Sequence, residues 1–156
     1  MTILKDMAKA LEMESGEMEE FFEEGFQSMR MNCYPPCPEA EKVIGLTPHS
    51  YAVGLTILLQ INEVEGLQIK KDGKWVPTKP LPNAFIINIG HVLEVITNGA
   101  YRSIAYRSIT HRATINSERE RLPVATFYNP KYEGEIGSAR NLISQQKPAL
   151  FKRLGG

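Results

Sequence analysis

The spacing of apolar residues changes character once along this chain. Over residues 1–29, Leu4, Met7, Ala8 and Leu11, then Met18, Phe21, Phe22 and Phe26, recur at three- and four-residue steps, the period of amphipathic helices. Ser15-Gly16 divides the stretch into two helices, and Gly25 weakens the end of the second. The aromatic stripe of Phe21, Phe22 and Phe26 is expected to pack as core. After Pro35-Pro36-Cys37-Pro38 the apolar positions gather into short β-type runs at 54–61, 67–69, 75–76, 84–89, 101–115 and 124–128. Glu65-Gly66, Asp72-Gly73, Pro80-Leu81-Pro82-Asn83 and Asn98-Gly99 supply the turns between them. Residues 91–97 predict one short helix, and the tail 138–153 reads as helical or irregular. Many short strands at this spacing predict a sandwich or barrel of antiparallel strands, mainly β, with helices on its N-terminal side.

One local pattern conflicts with a regular strand. Ala100-Tyr101-Arg102-Ser103-Ile104 is repeated letter for letter as Ala105-Tyr106-Arg107-Ser108-Ile109. An odd-numbered unit reverses the facing of every later side chain, so the chain is expected to bulge, to loop out one copy, or to lose its pairing upstream. The second copy is expected to keep the strand, because it leads directly into His111.

Composition narrows the class without naming it. At 156 residues and 42% hydrophobic, the chain is long enough for one domain with one core. Eighteen basic residues balance 18 acidic ones, which argues against nucleic-acid or membrane-surface binding through a global field. No apolar run is long enough to span a bilayer, and residues 1–6 lack a signal-peptide core. Cys33 and Cys37 have no matching second pair, which favours reduced thiols over a zinc site. The cytoplasm is the expected compartment.

The chemistry sits in three separated places. A His-x-carboxylate pair, a distant second His and then an Arg would make a non-haem iron site with an anion-binding arginine. His49, His111 and Arg121 occupy three of these four positions. The carboxylate position, two residues after His49 and facing the same way from an extended segment, holds Tyr51. A phenol with a pKa near 10 carries no charge at neutral pH. The simpler alternatives are that His49 is a turn residue, His111 a satisfied core histidine and Arg121 a solvated charge.

These positions lie among several other distinctive segments: Met31-Asn32-Cys33-Tyr34-Pro35-Pro36-Cys37-Pro38, Gly45-Leu46-Thr47-Pro48-His49-Ser50, Gly54-Leu55-Thr56-Ile57-Leu58-Leu59-Gln60, Gly66-Leu67-Gln68-Ile69, Pro82-Asn83-Ala84-Phe85, His111-Arg112-Ala113-Thr114 and Ala125-Thr126-Phe127-Tyr128-Asn129-Pro130. In that order they resemble the plant 2-oxoglutarate- and Fe(II)-dependent dioxygenases, in the senescence-related or codeine-demethylase-like branch. The resemblance implies a double-stranded β-helix (jelly roll), with residues 31–156 as the dioxygenase domain and 1–30 as a helical segment packing on the barrel. It implies Fe(II) held by His49 and His111, 2-oxoglutarate held by Arg121, Asn32 and Tyr34, ascorbate as an accessory reductant, and a small organic substrate. The implied reaction couples oxidative decarboxylation of 2-oxoglutarate to hydroxylation, demethylation or desaturation of that substrate.

Three departures accompany the resemblance. Tyr51 replaces the carboxylate, Pro123 stands where the family places a hydrogen-bonding Ser, and His91 stands where it places an Asp that caps a short helix. His91 is also a candidate for a replacement metal ligand. The chain looks like the C-terminal half of such an enzyme, which would leave apolar barrel surface uncovered and favour self-association. A non-catalytic remnant, keeping the barrel without the redox centre, is the competing expectation.

Overall fold

The computed structural model of the chain describes residues 2–14, 16–101 and 110–155. Helices α1 (Thr2–Ala10) and α2 (Glu17–Phe22) open it, as their apolar spacing requires. Among the described residues eight strands follow: β1 (Phe26–Met31), β2 (Leu46–His49), β3 (Leu55–Gln60), β4 (Leu67–Lys71), β5 (Lys74–Pro77), β6 (Phe85–Ile89), β7 (His111–Ala113) and β8 (Pro123–Asn129). One further helix, α3 (His91–Ile96), lies between β6 and β7.

The strands form two four-stranded antiparallel sheets, in the orders β1-β8-β3-β6 and β2-β7-β4-β5. Apart from the β4–β5 hairpin, each successive strand crosses to the other sheet. That alternation makes a jelly roll. The hairpin turns on Asp72 and Gly73, both at positive φ (49° and 79°), the pairing a two-residue type I′ turn demands.

The expected helical stretch ends early. Phe26–Met31 is a strand, paired residue for residue with β8, and it crosses the expected boundary at residue 30. Phe26 is therefore no core residue: it is 49% exposed, whereas Phe22 is buried at 5%. Gly25 marks the change, because a Cβ there would lie 2.3 Å from the Asn129 carbonyl where β8 ends. Residues 102–109, most of the five-residue duplication, fall outside the described part of the chain.

Most of the core lies on the outer face of the β1-β8-β3-β6 sheet, under the helices. Leu4, Ala8, Met13, Met18 and Phe22 pack with Leu93 and Ile96 of α3, Leu55 of β3 and Ala139 of the tail. A smaller cluster between the sheets joins Leu58, Leu67 and Ala125 to Ile86 and Phe127. The tail is irregular apart from a 3-10 turn at Arg140–Leu142, and it is tied down by Asn98. The buried amide of Asn98 accepts from Ser138 Oγ (3.1 Å) and the Leu150 N–H (2.8 Å) and donates to the Pro148 carbonyl (3.1 Å).

Candidate functional site

The two sheets face each other across a cavity of about 50 Å³ whose walls include Arg30, Asn32, Tyr34, His49, Tyr51, His111, Arg121 and Phe127. Every site residue anticipated from the sequence, His91 apart, reaches this one place. Among the described residues its lining contains Arg30, Arg121 and no acidic residue; Arg112 is also on the wall, but its guanidinium stacks on Trp75 (4.2 Å) and its Nε donates to Gln68 (2.8 Å).

Register explains the convergence. Arg30, Asn32 and Tyr34 alternate along one extended segment and so face the same way. Beyond the end of β1 the ladder continues, with the Asn32 N–H on the Pro123 carbonyl (3.0 Å) and reciprocal Tyr34–Arg121 bonds (2.9 Å each). On the opposite sheet Leu46 pairs with Ala113 but His49 pairs with His111, so β2 carries one extra residue. That bulge sets His49 directly opposite His111; a regular strand would have put Pro48 there. Proline, lacking an N–H, is tolerated at such a bulge.

The imidazole rings of His49 and His111 then stand 4.2 Å apart. His49 Nδ1 lies 2.7 Å from the Thr47 carbonyl, which can only accept, so Nδ1 is the donor and the tautomer that bears a lone pair on Nε2 is the one this contact selects. His111 Nε2 is buried without a hydrogen-bond partner. Burial, and then His49, push the His111 pKa down to about 4, leaving a neutral imidazole at physiological pH.

Arg121 is 3% exposed, and its Nε has no partner. No ion pair among the described residues involves it. Its stem lies where any side chain at Gly66 would sit, since a Cβ there would be 2.6 Å from Arg121 Cδ. Its guanidinium lies 5.3 Å from the centre of the Tyr34 ring, a cation–π contact. Burial pulls its pKa below the ordinary arginine range, and the nearby Tyr34 and Tyr51 oxygens pull it back up. A buried guanidinium without a carboxylate is costly to maintain and attracts an anion.

Tyr51 closes the site. Its ring lies 4.4 Å from His111, 5.1 Å from His49 and 5.4 Å from Phe127. Burial raises the phenol pKa above its usual 10, so it stays protonated at neutral pH.

An iron ion fits this donor set in part. Two adjacent imidazoles, one with an orphaned buried nitrogen and one with its tautomer fixed, suit a divalent metal. A neutral phenol does not replace an anionic carboxylate. Among the described residues no group of three His, Cys, Asp or Glu side chains could hold a metal. His91 supplies no third donor of that kind: it is the first residue of α3, its Nδ1 is 3.5 Å from Glu94 Oε2, and it does not line the cavity. Gly90, not residue 91, is the N-cap, and no side chain caps the helix.

An antiparallel jelly roll with paired imidazoles and a buried arginine between its sheets is the arrangement that the sequence resemblance implied. Residues 25–130 match the 2OG-Fe(II) oxygenase superfamily, and the chain belongs to that family. It is 60% identical over 154 residues to Protein SRG1 of Arabidopsis thaliana, covering 97% of this chain and 42% of that protein. It is 58% identical to oxoglutarate-dependent flavonoid 7-O-demethylase 1 of Ocimum basilicum (97% of this chain, 40% of that protein). With codeine O-demethylase of Papaver somniferum the identity is 53% (97% and 41%). The fold superposes with a TM-score of 0.87 and 37% identity on the crystal structure of JOX2 in complex with 2OG, Fe and JA, over 98% of this chain and 44% of that one. The chain thus spans about two fifths of the length of the curated relatives it matches. The family uses Fe(II) and 2-oxoglutarate.

Sequence reasoning missed Arg30, Phe127 and the β2 bulge. Reading 26–29 as helix hid Arg30, which stands two and four residues before Asn32 and Tyr34 and shares their facing. Thr47-Pro48 was the available signal for the bulge.

Proposed function

We propose that this chain is a 2-oxoglutarate/Fe(II) dioxygenase-type domain acting in the cytoplasm on a small plant specialised metabolite, with an iron site weakened by Tyr51. His49 and His111 hold the metal, and Arg121 holds the distal carboxylate of 2-oxoglutarate with Asn32 and Tyr34 beside it. The convergence of these five side chains on one inter-sheet cavity carries the reading. The flavonoid and codeine demethylases among its relatives supply the substrate class. Bound iron with 2-oxoglutarate would supply the oxidising chemistry. The chain's own part is to present two imidazoles, to anchor a dicarboxylate by a two-pronged contact, and to exclude water between apolar sheet faces. Losing the negatively charged ligand at residue 51 is expected to cost at least the ~10–100-fold in metal affinity or activity typical of disturbed metal surroundings.

Anaerobic addition of Fe(II) and 2-oxoglutarate tests this. Tyr51→Asp is expected to give the visible charge-transfer band of the chelate and at least about tenfold faster succinate release in air than the wild type. Slow but measurable wild-type release supports an impaired enzyme. Release restored only in Tyr51→Asp supports the second reading, a non-catalytic binding remnant, which the neutral phenol at residue 51 favours. A Tyr51→Asp chain with neither band nor succinate overturns both.

We also propose that this chain self-associates through the uncovered part of the β1-β8-β3-β6 sheet. Two cross-strand rows face outward there: Met31, Val124, Leu59 and Phe85, and Met29, Thr126, Ile57 and Ile87, of which Ile57 also meets the core under the helices. Seven of the eight are apolar, and Met31 and Phe85 are 75% and 60% exposed.

A further inference from the structure

Tyr51 affects more than the metal, because its backbone cannot retreat. Its carbonyl accepts the His91 N–H (3.1 Å) and the Val53 carbonyl accepts the Val92 N–H (3.3 Å), so the first turn of α3 caps itself on this segment. Gly90 packs so tightly behind it that a Cβ would sit 1.8 Å from the Val53 oxygen. Sliding the 50–53 segment outward would undo the start of α3.

With the backbone fixed, the ring has a defined place. It lies between the imidazoles on one side and Phe127 on the other, 4.4 Å from His111 and 5.4 Å from Phe127. Arg121, Tyr34 and Asn32 line the same cavity, and about 50 Å³ stays open. Water takes about 30 Å³ per molecule in the liquid, so this space holds one or two waters. Pockets for organic ligands begin at about 300 Å³. A dicarboxylate of the length of 2-oxoglutarate, anchored on Arg121, needs room beside the imidazoles, and the Tyr51 ring occupies it.

We propose that Tyr51 sets the size of anion admitted to the Arg121 subsite: its ring discriminates against 2-oxoglutarate and leaves space for a small monocarboxylate such as formate. The proposal rests on the dioxygenase-type reading of the site, and it concerns volume alone. A carboxylate ligand missing without occlusion would leave metal-free 2-oxoglutarate binding unaffected by the size of residue 51.

Calorimetric titration of 2-oxoglutarate into the full chain, with a chelator present, separates the two. Tyr51→Ala is expected to bind 2-oxoglutarate at least about tenfold more tightly than the wild type, the scale of relieving an overfilled interior. Tyr51→Phe keeps the ring and is expected to stay within about twofold of the wild type, well under the tenfold step that a 1.4 kcal/mol change gives. Formate is expected to bind all three chains with similar affinity and to lose binding in Arg121→Met. If Tyr51→Ala gains nothing, or Tyr51→Phe gains as much as Tyr51→Ala, the proposal is overturned. Urea midpoints establish that each variant is folded; should Tyr51→Ala not fold, Tyr51→Ser carries the same expectation. Failure of the dioxygenase reading appears elsewhere, as absent chelate and succinate in Tyr51→Asp, and either result can occur without the other.

Discussion

Lowering the pH from about 7.5 to about 5 should remove about 2 kcal/mol of stability from the metal-free chain through His111 alone. The imidazole is 8% exposed, its Nε2 is unpartnered, and a second imidazole faces it at 4.2 Å. Burial, then His49, lower its pKa from 6.5 to about 4. A group whose folded pKa lies below its unfolded value binds its proton more readily in the unfolded chain. Its contribution is therefore complete above the unfolded value of 6.5 and is lost as pH falls toward 4. At about pH 5 the unfolded imidazole is almost wholly protonated and the folded one only about a tenth, and integrating that difference gives about 2 kcal/mol. Against a domain stability of roughly 5–15 kcal/mol this is a large fraction. Urea unfolding at both pH values, followed by the fluorescence of Trp75, the only tryptophan, reads it directly. Trp75 lies on β5, in the same sheet as His111. His111→Gln removes the titrating group while other ionisations remain common to both chains. If wild type and His111→Gln lose equal stability between the two pH values, the assignment of a buried neutral imidazole is wrong.

Two further outcomes follow from packing. Asn98→Ala should cost about 2–4 kcal/mol, because it orphans buried polar groups and forces a β-carbon residue without a local hydrogen bond into the left-handed region; Asn98 is 1% exposed with φ +49°. A lowered urea midpoint with new protease cleavage within residues 138–154 checks this, and an unchanged midpoint contradicts it. Sedimentation velocity at rising concentration should show the wild type associating and the double variant Met31→Lys, Phe85→Lys staying monomeric; a wild type monomeric throughout would rule out self-association through this face.

The strands between residues 54 and 89 were legible because each is short, apolar and bounded by Gly, Pro, Asn or Asp. The Asp72-Gly73 hairpin followed from turn chemistry alone. Phe26–Met31 was not legible, because Phe22 and Phe26 also satisfy a four-residue helical step. What decides the matter is the Gly25 contact with the end of β8, about a hundred residues away in sequence, which local pattern does not register. The site residues were recognisable as types, yet their meeting depends on one inserted residue in β2 and on a ladder continued past the end of β1. Both are pairing facts. The tie between Asn98 and the tail is of the same kind: Asn98-Gly99 reads as a turn, and nothing local shows that its amide holds the tail against the barrel.

Charge at residue 51 matters as much as volume. Arg30 and Arg121 line the cavity and, among the described residues, no carboxylate does, while Arg112 turns its guanidinium onto Trp75 and Gln68; with Tyr51 uncharged the formal charge of the cavity is positive at neutral pH. Such a cavity opposes a divalent cation before any ligand geometry is considered, and it favours anions. An aspartate at the same position would offset one arginine charge, supply the missing donor and free the space beside Arg121. For the metal the added charge and the added donor share a sign, so Tyr51→Asp should raise metal affinity; for metal-free 2-oxoglutarate the new negative charge opposes the freed space, so Tyr51→Ala should raise its affinity more than Tyr51→Asp does. Neither change touches the principal core, which lies under α1, α2 and α3 on the far face of the sheet. The packing that position 51 does touch is the smaller inter-sheet cluster, through Phe127, so a substitution there acts on the binding cavity and on that cluster while leaving the larger core in place.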